Sequence, residues 1–454
     1  MRKRVILAFM LVFALVAASS CSLIIKDEEV DKQTPIIEVV GKTFTKAEVN
    51  EQVEAVMDYE EYMYSMYGIS YDRTDASTIS MAQDSAIDAM VQQAVLEKKA
   101  ADLGLDVLSD EEKAEVEESV DSTYTLYSDS VKSAYFADTE LEGEELDAAV
   151  EAKMAELAYP TREELVESET NAKVLEKVRD EAVKDVTVSE EELQEAYNTH
   201  VESAMTTYGN SPSSYGTDVQ NGATIYYVPA GYRYVKHILI EFTDEDSQAI
   251  SDLESQISQK QTELSTAETS LADLGEDASA DDEATAQNRA TLSETVEART
   301  AEIADLESQL EDAKEAAYAA IQPTLDEVEE KLAAGEDFDA LMEQYGQDPG
   351  MQTSPAKENG YPVSADSTNW VTEFRDAAMA LENVGDVSEP VRSEYGIHII
   401  KYVSDAVEGE VGLDAVRDAL ETEVLTQKQD EAYTAAVDAW VAEADAKIYK
   451  DRLN

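Results

Sequence analysis

One cysteine, Cys21, stands in 454 residues, so no disulfide can close within the chain. Histidine is almost as scarce, with only His200, His237 and His398. Neither His237 nor His398 has a second ligand at a metal-site spacing, so no metal site is expected. No nucleophile elbow accompanies them, which argues against a Ser-His-Asp triad. Basic residues are few: 34 Lys and Arg face 100 Asp and Glu, for a formal charge of −66. A field that negative repels phosphate backbones and argues against nucleic acid as a partner. It reads first as a solvated surface, and second as one that favours basic clients or cations. Beyond the N-terminus no stretch is long and apolar enough to span a bilayer.

What is present begins with Met1-Arg2-Lys3-Arg4, an apolar run from Val5 to Ala18, and Ser19-Ser20-Cys21. A basic start, an apolar middle and small residues before a cut site make a secretory signal over 1–21. The place of Cys21 resembles a bacterial lipoprotein lipobox, with Ala18 where that motif usually has leucine. The resemblance implies a lipidated Cys21 as the mature N-terminus. It also implies an extracytoplasmic protein, anchored by lipid to the outer face of the cell membrane.

Residues 22–35 read as a polar tether. The β-rich run from Ile36, the turn at Gly41-Lys42 and Thr45 before a helical pattern predict strand, turn and capped helix. Ala86, Ile87, Met90, Val91, Ala94 and Val95 recur at helical spacing, and the helix is expected to end at Gly104. Ser109 with Glu112 three residues on is a capping-box pattern. Ser189 starts a further capped helix, expected to run to about Tyr197. The Gly-, Ser- and Asn-rich stretch 201–229 reads as a linker. Residues 232–240 then read as a strand. Ile250, Ile257, Leu264 and Leu271 fall at strict sevens, as do Val296, Ile303, Leu310 and Ala317. Two such helices joined by the acidic turn 275–282 predict an antiparallel coiled-coil hairpin over 247–318. Pro323 is expected to start a new helix that closes at Gly346. The last 40 residues predict one or two amphipathic helices.

The chemistry-bearing stretches are KHILI at 236–240, AGEDFDALMEQYGQD at 334–348, EFRDAAMAL at 373–381, VGDVSEPV at 384–391 and YGIHIIKY at 395–402. In this order they resemble the parvulin family of peptidyl-prolyl isomerases, with the hairpin inserted between the first strand and first helix of that domain. The flanking halves resemble the N-domain of the extracytoplasmic foldases PrsA and SurA. The resemblance implies catalytic His237, Asp348 and His398, and a proline pocket formed by Phe374, Trp370 and Met379. Trp370 stands where many members have methionine, and Tyr361-Pro362 replaces the usual Asp-Leu after Gly360. His200 lies outside the matched stretches and receives no role.

Rotation about an Xaa-Pro bond is opposed by amide resonance, a barrier of ~18–20 kcal/mol. No bond breaks, so the reaction needs neither metal nor cofactor; a catalyst has to bind the twisted amide better than either planar form. The expectation is an α+β protein. A mostly helical chaperone domain (36–200) receives C-terminal helices (405–454), and a parvulin domain with a four-stranded antiparallel sheet spans 230–404. Its function would be isomerisation and chaperoning of newly secreted, unfolded polypeptides with Xaa-Pro bonds. The alternative is an ATP-independent holdase with an inactive parvulin domain. A purely structural envelope lipoprotein would rest on the coiled coil and the charge alone. Homodimerisation through the coiled coil stays open, since such helices also pair within one chain.

Overall fold

The computed structural model describes residues 28–137, 139–274 and 283–453. The signal segment, Cys21 and the turn at 275–282 lie outside them. The described residues divide into two compact units, those up to Val188 together with those from Glu423 on, and those within Ser189–Thr422.

In the first unit a short helix α1 (Glu28–Lys32) stands within the stretch expected as tether. Strands β1 (Pro35–Val39) and β2 (Lys42–Thr45) form a hairpin. Thr45 then caps α2 (Lys46–Met66): its hydroxyl accepts from the Glu48 N–H, and the Glu48 carboxylate accepts from the Thr45 N–H. Four helices follow: α3 (Ala76–Leu103), α4 (Asp110–Tyr135), α5 (Glu144–Glu156) and α6 (Arg162–Val183). The same reciprocal cap opens α4 at Ser109 and Glu112, and α6 at Thr161 and Glu164. These pairs satisfy backbone N–H groups that a helix leaves without partners in its first turn. The apolar positions read from the sequence face inward, with Ala86, Ile87, Val91, Ala94 and Val95 buried on α3. From the far end of the chain, α14 (Leu413–Glu443) contributes Tyr433, Val437 and Trp440 to the cores of this unit. After it, β9 (Lys447–Ile448) pairs with β1, so the sheet order is β2-β1-β9. The expected helix from Leu413 is thus followed by an unexpected strand and a 3₁₀ turn at Lys450–Arg452. A two-residue strand carries no periodic signal, and only the open edge of β1 calls it into being.

The second unit opens with α7 (Glu190–Asn210), α8 (Ser214–Gln220) and β3 (Tyr227–Val228). The expected linker 201–229 is thus a correction: α7 runs well past Tyr197 into it. Tyrosine packing holds this segment. Tyr208, Tyr215 and Tyr232 form a buried cluster, and the Tyr232 hydroxyl donates to the Pro212 carbonyl at 2.7 Å. Strand β4 (Arg233–Glu241) leads into α9 (Asp244–Asp273) and α10 (Glu283–Ala333). Then come α11 (Phe338–Tyr345), α12 (Ala356–Asn359), β5 (Tyr361–Val363), α13 (Thr372–Ala380), β6 (Val391–Ser393), β7 (Gly396–Asp405) and β8 (Gly409–Glu410). The main sheet is antiparallel with order β5-β4-β7-β6, and β3 pairs with β8.

Helices α9 and α10 form the antiparallel hairpin. Lys314 meets Glu254 at 2.9 Å and Arg299 meets Glu263 at 2.7 Å, so the start of α9 lies against the later part of α10. Ile250, Ile257, Ala267, Ile303 and Ala317 are buried in the seam, while Leu264 and Leu271 are half-buried. A second correction concerns Pro323, which does not start a helix but lies inside α10. An internal proline costs about 3 kcal/mol. Ala317 and Ile321 before it, and Leu325 and Val328 after it, are all buried in the core that backs the sheet. Burial on both sides holds the helix through the break.

Candidate active site

Strands β4 and β7 are the two central strands, and their register sets Leu239 opposite His398 and His237 opposite Ile400. Opposed residues share a face, so the two histidines lie on one face, a diagonal step apart. His237 Nδ1 and His398 Nδ1 are 3.0 Å apart. His237 Nε2 lies 2.7 Å from Asp348 Oδ2. Asp348 caps the 3₁₀ turn Pro349–Gln352, where its Oδ1 accepts from the Gly350 N–H at 2.8 Å. On the far side His398 Nε2 lies 2.7 Å from the Ser393 hydroxyl on β6. Ser393 Oγ in turn accepts from the Tyr395 N–H at 3.2 Å.

These contacts fit an assignment of one proton to each ring. The Asp348 carboxylate accepts, so His237 carries its proton on Nε2 and accepts on Nδ1. His398 then donates from Nδ1 and accepts the Ser393 hydroxyl proton on Nε2. In this assignment every member of the row is satisfied. Burial pulls the His398 pKa down to about 3, with help from neighbouring His237 and against the pull of Asp348. Burial alone would raise the Asp348 carboxyl. His237, the Gly350 N–H and the Tyr361 hydroxyl outweigh it, so its pKa lies below the usual carboxylate range. Burial, then the charge of Asp348, pushes the Tyr361 phenol up.

Phe374 is 2% exposed and meets both imidazoles edge-on, at 5.0 Å to His237 and 5.3 Å to His398. Trp370 lies 5.4 Å from Phe374, and Tyr361 4.6 Å from Trp370, so three aromatic rings follow one another beside the polar row. The Trp370 Nε1–H donates to the Pro362 carbonyl at 3.2 Å, which fixes the indole. Met379 takes no part in this run of rings. It stands about 140° round α13 from Phe374, half-buried at the edge of the same core. His200 lies on α7 with its ring stacked on Tyr226 at 4.5 Å.

Two residues of the site received no role from sequence reasoning. Ser393 holds His398, and its only sequence signal is a polar residue in a strand five positions before that histidine. Tyr361 was legible only as a departure from the family. Its hydroxyl donates to Asp348 Oδ2 at 2.9 Å. A Cβ at Gly350 would lie 1.8 Å from that hydroxyl oxygen, so the Tyr361–Asp348 bond needs glycine there. Gly360, at φ +84 and with its ideal Cβ 2.6 Å from the Val235 carbonyl oxygen, gives β5 its close start against β4. Among the described residues no group of three or more His, Cys, Asp or Glu is placed to hold a metal ion. Nor is any helix among them long and apolar enough to cross a membrane.

Residues 303–404 match the PPIC-type PPIase domain, and residues 1–140 match the SurA-like N-terminal domain. A foldase protein PrsA 4 of Bacillus cereus is 49% identical over 81 residues, 18% of this chain and 27% of that protein. A foldase protein PrsA of Geobacillus kaustophilus is 37% identical over 132 residues, 29% of this chain and 44% of that protein. The matched stretches thus span less than half the length of these curated relatives. A crystal structure of PrsA from Bacillus subtilis aligns over 91% of this chain and 94% of that one, at 18% identity and a TM-score of 0.20, too low to inform the fold.

Proposed function

We propose that this chain, which carries a PPIC-type PPIase domain and a SurA-like N-terminal domain, is an extracytoplasmic peptidyl-prolyl cis-trans isomerase and foldase for secreted polypeptides. The observation that carries this reading is the buried His237–His398 pair joined to Asp348 and floored by Phe374. The rings of Phe374 and Trp370 take the proline and strip water from the amide, which favours the less polar, twisted form over the planar one. The row from Ser393 to Asp348 keeps the polar side of the pocket rigid, so its dipoles are set before the carbonyl rotates. His237, Asp348 and His398 are the catalytic group in this reading; Phe374, Trp370 and, at the edge, Met379 bind the substrate. No proton need leave the substrate, which suits a histidine held far from its titration range.

Exposed Tyr62, Met66, Tyr67 and Ile69, at the end of α2 and just beyond it, support client binding by the first unit. Lipidation at Cys21 belongs to the same reading and rests on the sequence from Met1 to Cys21. The test is isomerisation of an Xaa-Pro peptide series by NMR exchange, with the parent beside Phe374→Ala and His237→Ala. Acceleration by the parent that is lost in Phe374→Ala is expected. No acceleration with any residue before proline would leave a holdase that uses this domain for binding alone.

A further inference from the structure

We infer that Tyr318, on the helix returning from the coiled-coil hairpin, is a positioning residue for the histidine pair, so that the root of the hairpin helps to set the isomerase site. The inference rests on the isomerase reading above. The Tyr318 hydroxyl donates to the Ser393 carbonyl at 2.9 Å. The hydroxyl of that same serine lies 2.7 Å from His398 Nε2. One residue of β6 therefore links the hairpin to the row His398–His237–Asp348. The Tyr318 ring is held on two sides. Phe242, just before the other hairpin helix, meets it edge-on at 4.9 Å. The Arg392 guanidinium lies over it at 4.3 Å and reaches Glu315 on α10 at 2.6 Å.

Strand β6 has three residues and lies at the edge of the sheet, paired only with β7. The backbone bonds of so short an edge strand define its position weakly. Tyr318 anchors its end at the residue whose hydroxyl lies against Nε2 of His398. Because Phe242 and Tyr318 stand at the two roots of the hairpin, a change in hairpin angle moves the Tyr318 hydroxyl against Ser393. The inserted arm thus has a physical route to the site, through a single carbonyl.

The test uses the full chain labelled with ¹⁵N-histidine, whose three histidines keep the spectrum readable. The parent is expected to show His398 protonated on Nδ1 and His237 on Nε2. Tyr318→Phe keeps the ring and removes the hydroxyl. It is expected to mix the His398 tautomers and to lower kcat about two- to tenfold, the effect of one lost hydrogen bond, with KM unchanged. Glu315→Gln removes the ion pair to Arg392 but spares the hydroxyl, and is expected to leave both readouts at parent values. A Tyr318→Phe protein with the parent's histidine spectrum and kcat overturns the inference. So does a Glu315→Gln protein that reproduces the Tyr318→Phe change, since general docking of β6 would then be the cause. If the parent shows no isomerisation, a tautomer change in Tyr318→Phe still supports the positioning role, and only the enzymatic reading fails.

Discussion

In the first unit Thr45, Ser109 and Thr161 each begin a helix with a partner three positions away. In the second, His237 reaches Asp348 across 111 positions and His398 across 161. The two kinds of contact fail differently. A lost cap leaves one or two N–H groups to water, and the helix frays at one end. A lost member of the histidine row leaves a buried partner unsatisfied, and the fault passes along the row.

Replacing Phe374 by alanine should give the largest difference between the units. Removing a ring that is 2% exposed should cost about 3–5 kcal/mol and end isomerisation, while the first unit keeps its stability. Urea unfolding followed by hydrogen exchange, read unit by unit, checks this. Gly350→Ala comes next. Its Cβ would displace the Tyr361 hydroxyl and take a donor from Asp348, at a cost of about 1–3 kcal/mol. The NMR exchange assay should show isomerisation falling with it. If activity survives, the Tyr361–Asp348 bond is dispensable.

Acid should separate the units as well. An unfolded histidine titrates near 6.5, whereas folded His398 is held down to about 3. Between those values the unfolded chain binds the extra proton, so stability rises with pH. It is fully present above about 6.5 and is lost as pH falls toward 3. Asp348, also lowered, adds a loss of the same sign at the acid end. The second unit should lose about 2 kcal/mol between pH 7 and pH 5. Urea midpoints at the two pH values measure it, and a His398→Asn protein should show a flatter dependence. The smallest effect belongs to the first unit. Ser109→Ala should cost about 1 kcal/mol, confined to α4 and its neighbours, with isomerisation unchanged.

Helices α2, α3 and α4 of the first unit were legible because their signals are local: apolar residues at 3.6 spacing, caps at Thr45 and Ser109, and Gly104 at the end of α3. The parvulin stretches were legible through family resemblance, which brought His237, His398, Asp348, Phe374 and Trp370 to one place before the register was known. Ser393 and Tyr318 were not. A serine in a short strand and a tyrosine near the end of a heptad run look alike whether they hold a site or only face water. The stretch 201–229 reads as linker because Gly, Ser and Asn recur through it and interrupt any apolar period, yet Tyr208, Tyr215 and Tyr232 bury one another. Aromatic packing between residues up to 24 positions apart has no helical or strand period to betray it.

By itself the sequence determined the capped helices, the heptad hairpin and the strands that bear the two histidines, since each follows from spacing along a few turns or residues. The tertiary structure alone decided that α10 runs through Pro323, that Tyr361 clasps Asp348 and that Tyr318 meets the strand behind His398. Those outcomes depend on which surfaces become buried together, and burial is a property of the folded chain, not of any stretch within it.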